Sequence, residues 1–167
     1  FRYVPILIQF WAPVIIEGRR LLTTSEQPFA LTAVDLELCW YRKCSLEHKF
    51  EIEEDLGFPA RVFRQKFPEL TPDIRYYSRK EHPWWDDLGS DCKVRELVAL
   101  PVFKTSGGSC IGVLEIVSVI SYNQGSWQHL EESFQDLMFS IEQVCRSFEV
   151  CPRPTPNLNI QILILLG

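Results

Sequence analysis

Arg42 lies three residues before Ser45, which is the spacing that basophilic protein kinases read. The guanidinium of such an arginine fits an acidic pocket on the kinase, and a phosphate on Ser45 would add a charge of about −1.5 to −2. Arg42 and Lys43 would then attract this phosphate, or the phosphate would disturb strand pairing. We therefore take Ser45 as a phosphorylation candidate with Arg42 as its recognition residue. The alternative is an unmodified serine within a strand.

A second group of residues combines guanidinium groups with aromatic rings. A small planar anion fits the fork of a guanidinium, backbone N–H donors and an aromatic wall. Arg61 and Arg64 lie three residues apart and share one face of a predicted helix. The full candidate anion site consists of Arg61, Arg64, Arg95, Tyr76, Tyr77 and Trp11. The favoured alternative is that the arginines make surface salt bridges with neighbours such as Glu69.

The cysteines raise the question of thiol catalysis. Cys92 has Lys93 and Arg95 nearby, and Cys110 lies near a predicted hairpin, whereas a nucleophilic thiolate needs a low pKa and cationic neighbours. No spacing singles out a catalytic pair, and a buried apolar cysteine is the commoner case. The CxxC spacing of a metal site is missing and the 3 histidines are scattered. We expect no enzymatic activity, no metal and no cofactor.

Two further features have an open interpretation. Glu115 interrupts the apolar run Ile111–Ile120. It either faces a pocket with a raised pKa, or pairs with an arginine across the sheet, or lies on a solvated face, and the solvated position is favoured. The cluster Pro83–Trp85 either anchors a partner protein or, as is more common for a loop tryptophan, folds over the chain's own core.

Size and charge limit the classes of function. The 167 residues predict one domain over residues 3–150 and a Pro-rich tail over residues 151–167. Lys and Arg number 17 against 22 Asp and Glu, so the net charge is −5. A compact nucleic-acid reader carries a basic excess, so direct DNA or RNA binding by this segment is not expected. No segment approaches the ~20 consecutive apolar residues that a membrane span needs, so no membrane partner is expected.

The elements that must position these residues follow from the hydrophobic pattern. Short β-branched and aromatic runs indicate strands, and gaps of three and four between apolar residues indicate helices. The predicted strands are Ile6–Ala12, Arg20–Thr24, Ser45–Ile52, Ile74–Tyr77, Glu96–Phe103 and Cys110–Ile120. The predicted helices are Glu54–Lys66 and a closing amphipathic helix from Ser126 to Phe148. Paired glycines between the last two strands predict a β-hairpin. This order predicts an α+β, GAF/PAS-like domain with an antiparallel central sheet flanked by helices.

Six strings in this order and spacing resemble one family. They are Ile8–Pro13, Leu22–Phe29, Gly57–Lys66, Tyr76–Glu81, Ala99–Phe103 and Ser109–Glu115. As a set they resemble the GAF-like amino-terminal region of plant NIN-like proteins, the nitrate-responsive RWP-RK transcription factors. The resemblance covers roughly residues 6–115. One departure is Ala60, which stands where the family has a glycine in a Pro-Gly-Arg-Val-Phe string, so a turn with a positive φ would be strained here.

The resemblance implies a regulatory role. Family members bind DNA through an RWP-RK segment and pair through a carboxyl-terminal interaction domain, and neither is in this chain. The corresponding region confers the response to nitrate, and phosphorylation helps to control nuclear retention, so the resemblance implies a nuclear protein that shuttles with the cytoplasm. Ser45 matches a basic-x-x-Ser motif of the family. The expected partners are nitrate, a protein kinase and protein chains that form homo- or hetero-oligomers with the whole protein.

Two alternative functions stay open from the sequence. The chain is either a stand-alone ligand-binding or interaction module that competes for partners, or, more remotely, a GAF-fold thiol reductase that uses Cys92 or Cys110. Ligand binding that survives replacement of both cysteines by serine would exclude the reductase.

Overall fold

One antiparallel sheet forms the centre of the fold. The computed structural model of the chain describes residues 5–104 and 108–119. The strands are β1 Ile6–Ile16, β2 Arg19–Thr23, β3 Phe29–Leu31, β4 Lys49–Glu51, β5 Glu69–Thr71, β6 Val94–Phe103 and β7 Cys110–Val119. The helices are α1 Leu36–Leu46, α2 Phe58–Gln65 and the short α3 Trp85–Leu88, with a 3₁₀ turn at Ile74–Tyr76.

The strand order is β4-β2-β1-β7-β6-β5, and every pairing is antiparallel. β1 is long enough to pair with three neighbouring strands. One of its edges pairs with β3 in its first half and with β2 in its second half, while the other edge pairs with β7. This architecture confirms the predicted α+β class with an antiparallel central sheet flanked by helices. The predicted hairpin of β6 and β7 is also confirmed.

β1 does not end at Pro13, as the sequence predicted, but continues to Ile16. Proline has no N–H to give to a ladder, so inside a sheet it needs an unpaired edge. Pairing between β1 and β7 ends at Trp11, and Pro13 pairs with Leu22 of β2 only on the other edge. The proline therefore lies where one edge of the strand is unpaired, and the strand passes through it.

The predicted strand Ser45–Ile52 was wrong over its first residues, because Ser45 and Leu46 belong to α1 and Glu47 is the C-cap of that helix. The Asp35 carboxylate caps α1 and accepts from the backbone N–H groups of Glu37 at 2.9 Å and Leu38 at 3.1 Å. The buried positions of the helix are three and four residues apart, which is the helical repeat: Leu38, Tyr41, Arg42, Cys44 and Ser45. Only Lys49–Glu51 forms a strand, at the edge of the sheet.

Two other boundaries differ from the prediction. The helix expected from Glu54 begins at Phe58, with Pro59 in its first turn, and Lys66 ends it with a φ of 58°. Ala60 is buried within this helix and does not have a positive φ, so the expected strain is not found. The predicted strand Ile74–Tyr77 is a 3₁₀ turn, because the Asp73 carboxylate accepts from the N–H of Arg75 and starts a turn there.

The two faces of the sheet carry two separate hydrophobic clusters. The helices pack on one face, where Trp11, Phe50, Phe58 and Trp84 form an aromatic centre. The other face has a smaller cluster of strand residues, which are Ile6, Ile8, Phe10, Val98, Leu100, Val102, Leu114 and Ile116. The predicted closing helix 126–148 and the tail 151–167 lie outside the described residues.

Candidate functional site

A buried carboxylate lies at the centre of the sheet face that the helices cover. Glu115 of β7 is fully buried, and Gln9 is its direct partner on β1. Its Oε2 accepts from Gln9 Nε2 and from Trp11 Nε1, both at 2.6 Å. Its Oε1 accepts from the hydroxyl of Tyr41 in α1 at 2.5 Å. Because side chains alternate along a strand, Gln9 and Trp11 point to the same face as Glu115.

Burial and hydrogen bonding act on this carboxyl in opposite directions. Burial raises the pKa of Glu115 above its ordinary value, while the donors from Tyr41, Gln9 and Trp11 and the positive charge of Arg42 lower it. The net direction is upward. The favoured sequence interpretation, a solvated position for Glu115, was therefore wrong: the carboxyl is buried and its pKa is raised.

Tyr41 connects this carboxyl to a buried histidine. The Tyr41 oxygen and His82 Nε2 are 2.8 Å apart. Since Tyr41 gives its proton to Glu115, the Nε2–H of His82 donates to Tyr41. Burial lowers the pKa of His82 to about 3, so the ring is neutral. Burial and the neighbouring Glu115 raise the pKa of Tyr41 well above its ordinary value. His82 Nδ1 has no hydrogen-bond partner within the described residues.

Aromatic rings surround this polar network. Trp84 is fully buried, with its ring centroid 4.4 Å from that of His82 and 5.8 Å from that of Trp11. Phe58 stacks on His82 at 5.8 Å. Trp85 packs against the same cluster and is partly buried. Of the two interpretations of the Pro83–Trp85 cluster, folding over the chain's own core is confirmed.

Arg42 and Ser45 meet the network from the α1 side. The guanidinium of Arg42 donates from NH1 to Gln9 Oε1 at 3.0 Å and from NH2 to the carbonyl oxygens of Thr24 and Gln27 at 3.0 and 3.3 Å. The Ser45 hydroxyl donates to Gln9 Oε1 at 3.1 Å and to the Arg42 carbonyl at 2.7 Å. Ser45 is fully buried, so a kinase reaches it only when α1 moves away. The phosphorylation of Ser45 stays a prediction.

The residues of the candidate anion site are only partly brought together. Arg61 lies beside Tyr77, with its guanidinium carbon 5.7 Å from the ring centroid. Arg61 donates from Nε to Glu69 at 3.0 Å and from NH1 to Glu81 at 2.7 Å. Tyr77 donates its hydroxyl proton to Glu69 at 2.6 Å. The expected salt bridge between Arg61 and Glu69 is therefore present.

The other members of that set lie apart from Arg61. Arg64 donates to the carbonyl oxygens of Ile52 and Asp55 at 2.7 and 2.8 Å. Arg95 is buried and donates to the carbonyl oxygens of Cys92 and Val94. Tyr76 is 75% exposed, while Trp11 belongs to the Glu115 network. These guanidinium groups are directed at protein oxygens, and anion binding stays a prediction.

Three of the cysteines in the described part of the chain are in surroundings that disfavour a thiolate. Burial raises the pKa of Cys44, Cys92 and Cys110, whereas nucleophilic thiols need a lowered pKa. Within residues 5–104 and 108–119, no three His, Cys, Asp or Glu side chains are arranged to hold a metal ion. No helix in this part of the chain is long and apolar enough to cross a membrane.

Sequence reasoning missed Gln9, Tyr41 and His82 as members of the network. A signal was available for Gln9, which is a single amide in an apolar strand, as Glu115 is a single carboxylate in another. Tyr41 lies 74 positions from Glu115 and 41 from His82, so only the folded chain brings these three together.

Comparison with known proteins gives consistent relatives. Protein NLP7 of Arabidopsis thaliana is 48% identical over 116 residues, covering 67% of this chain and 12% of NLP7. Protein NLP1 of Arabidopsis thaliana is 36% identical over 161 residues, covering 92% of this chain and 16% of NLP1. Protein NLP3 of Oryza sativa subsp. japonica is 42% identical over 116 residues, covering 67% of this chain and 12% of that protein.

Solved structures similar to this one include GAF domains. One GAF domain covers 81% of this chain and 61% of its own, with a TM-score of 0.44 and 15% identity. A GAF domain region from Geobacter sulfurreducens covers 89% and 83%, with a TM-score of 0.45 and 14% identity. No family model matches the chain. On the sequence matches to NLP7 and NLP1, of which it spans 12% and 16%, the chain belongs to the NIN-like protein family.

Proposed function

We propose that this chain is a regulatory region of a NIN-like plant transcription factor and that it confers a response to nitrate. Transcription is then controlled through an RWP-RK DNA-binding part outside the chain, in a protein that shuttles between cytoplasm and nucleus. Similarity to the NLP proteins supports this role. A net charge of −5 fits a segment that does not itself bind DNA.

The observation that carries the proposal is the position of Gln9 between α1 and the sheet. Its side-chain oxygen accepts from Arg42 and Ser45, while its nitrogen donates to Glu115. A charge added at Ser45 therefore acts on α1 and on the central strands together. We propose that a protein kinase adds this charge and shifts the populations of two arrangements of the domain.

Nitrate is the second proposed input. Arg61 and Tyr77 together offer the guanidinium and the aromatic face that suit a planar anion. Glu69 and Glu81 occupy the guanidinium, so nitrate has to displace a carboxylate from it. Binding at this place would therefore compete with two ion pairs.

A regulatory role is preferred to a catalytic one because of the state of the thiols. The raised pKa values of Cys92 and Cys110 oppose thiolate chemistry. The proposed partners are accordingly a kinase, a small anion and other protein chains, including homo- or hetero-oligomers of family members.

A nitrate-dependent reporter in plant cells tests the kinase input. The reporter is driven by a protein that carries this region together with an RWP-RK part. Ser45→Ala is expected to weaken the response, because it removes the acceptor hydroxyl. Ser90→Ala is the matched control, since Ser90 is exposed and lies away from Gln9, next to Asp91. Unchanged output with Ser45→Ala contradicts the kinase input.

Calorimetric titration of the purified chain with nitrate tests the anion input, with chloride as the ionic control. Saturable heat with nitrate but not chloride supports it, and Arg61→Gln is then expected to reduce the affinity at least fivefold. Absence of both heat and a thermal shift contradicts nitrate binding by this segment.

A further inference from the structure

The Arg-x-x-Ser spacing occurs twice within the described residues. One string is Arg42 and Ser45, and the other is Arg75 and Ser78. Both have the arginine that an acidic kinase pocket requires at the same distance from the acceptor. The two strings therefore offer the same local chemistry, and the folded structure decides which serine a kinase meets first.

Exposure separates the two serines. Ser45 is fully buried inside α1, and Arg42 is only 7% exposed. Ser78 is exposed, and the side chain of Arg75 is 48% exposed. A kinase has to hold its substrate segment in an active-site cleft, so an exposed acceptor with an exposed recognition arginine needs the smaller rearrangement.

The surroundings of Ser78 also favour recognition. Ser78 lies in the connection between the 3₁₀ turn Ile74–Tyr76 and α3, outside the sheet and the helices. The next two residues, Arg79 and Lys80, are exposed and basic. The guanidinium of Arg75 is ion-paired with Asp73 and that of Arg79 with Asp86, so the kinase pocket has to take Arg75 from a half-exposed ion pair. Ser78 is thus a surface acceptor next to the exposed Lys80 and two ion-paired arginines.

We propose that Ser78 is a phosphorylation site for an Arg-directed serine kinase, separate from Ser45. The Ser78 oxygen forms a bond to the γ-phosphorus of a nucleoside triphosphate. The bond from that phosphorus to the bridging oxygen of the nucleoside diphosphate breaks, and the serine proton passes to a base of the kinase. The products are phosphoserine and the diphosphate.

The phosphate would act on the core through Glu81. The Glu81 carboxylate accepts from the Ser78 N–H at 2.8 Å and from Arg61 at 2.7 Å. A phosphate on Ser78 adds about −1.5 to −2 charge next to this carboxylate, and like charges repel. Glu81 directly precedes His82, and its carbonyl accepts from the Phe58 N–H at 3.0 Å. Arg79 and Lys80 next to Ser78 attract the same phosphate, so modification at the surface rearranges the ion pairs of the segment that places His82 and Trp84 in the core.

The test uses the intact 167-residue chain, an Arg-directed serine kinase and magnesium ATP, with site occupancy followed by mass spectrometry. Synthetic peptides of residues 38–50 and 71–83 give the intrinsic rate at each serine without the fold. The initial rate at each serine in the folded chain is divided by the rate of the corresponding peptide. This ratio is expected to be at least tenfold higher for Ser78 than for Ser45. Ser45→Ala should leave the rate at Ser78 unchanged, which separates this proposal from the function proposed above.

Substitution of the arginines checks the recognition. Arg75→Gln is expected to lower the rate at Ser78 at least fivefold, both in the chain and in the 71–83 peptide, where no folding is involved. Arg79→Gln is the comparison, because Arg79 is 79% exposed but does not have the recognition spacing, and it is expected to lower the rate less than Arg75→Gln does. The proposal is overturned if Ser45 reacts as fast as Ser78 in the folded chain, or if Arg-directed kinases leave the 71–83 peptide unmodified.

Discussion

Gln9 and Glu115 are direct partners in the antiparallel ladder of β1 and β7, and the Gln9 amide donates to the Glu115 carboxylate at 2.6 Å. The same glutamine accepts from Ser45 and Arg42 with its oxygen. One side chain thus satisfies donors from α1 and an acceptor on the sheet. Because a buried polar group without its partner costs free energy, these residues hold α1 against the sheet in one arrangement.

Glu115→Gln is expected to destabilise the fold by about 1–3 kcal/mol. The substitution keeps the size of the side chain but replaces one acceptor oxygen with an NH₂ group. Trp11, Gln9 and Tyr41 all donate to this position, so at least one donor then faces another. Urea unfolding of the purified chain measures the loss.

The control for this experiment is Glu53→Gln, since Glu53 is an exposed carboxylate that pairs with Arg20 on the surface. We expect its free energy of unfolding to stay within about 0.5 kcal/mol of the wild type. Equal effects of the two substitutions would contradict the claim that the buried carboxylate contributes more to stability than an exposed one.

The pH dependence of stability should follow His82. Its pKa is about 3 in the folded chain, against an ordinary value of 6.5, so the unfolded chain binds the proton more readily. The contribution of His82 to the free energy of unfolding is therefore fully present above its ordinary pKa. It falls as the pH drops from about 6.5 towards 3, by about 1.4 kcal/mol per pH unit. His82→Gln is expected to flatten this slope in urea titrations between pH 7 and 4.

Glu115 contributes to the pH dependence of stability with the opposite sign. Its raised pKa means that the folded chain holds the proton longer, so its contribution is lost as the pH rises from the ordinary carboxyl range through the folded pKa. Glu115→Gln should thus leave the fall of stability towards low pH steeper than in the wild type. A shallower fall would contradict the raised pKa.

Local signals predicted some parts of the fold and long-range contacts decided the rest. The hairpin of β6 and β7 could be predicted from the sequence, because its turn residues lie between its two strands. The first residues of Ser45–Ile52 were predicted as strand, although Ser45 and Leu46 end the helix that Asp35 starts, and Tyr41 of that helix has its partner 74 positions away. Glu115 was recognisable as a lone polar residue, but its burial depends on donors from β1 and α1, which no local pattern shows.

Gly112→Ala is expected to destabilise the fold by about 2–3 kcal/mol. A Cβ at this position would lie 2.2 Å from Phe10 Cζ and 2.6 Å from the carbonyl oxygen of Trp11, and the second contact is with backbone. The two central strands would have to separate at this point. Thermal and urea unfolding measure the loss, with Ser109→Ala at a neighbouring exposed position as the control. A stability equal to that of the control would contradict the close approach of β1 and β7.

Ser45→Asp is expected to release α1 from the sheet. The Ser45 hydroxyl donates to two oxygens, Gln9 Oε1 and the Arg42 carbonyl, and a carboxylate placed there would face both as an acceptor. Burying that charge costs about 2–4 kcal/mol, which exceeds the loss of the hydroxyl in Ser45→Ala, about 1 kcal/mol. Hydrogen exchange of the α1 amides measures the release, and the expected result is faster exchange in Ser45→Asp than in either Ser45→Ala or Ser90→Asp. If exchange in α1 is the same in all three variants, a negative charge at Ser45 does not control the docking of the helix, and any phosphate there acts through a binding partner instead.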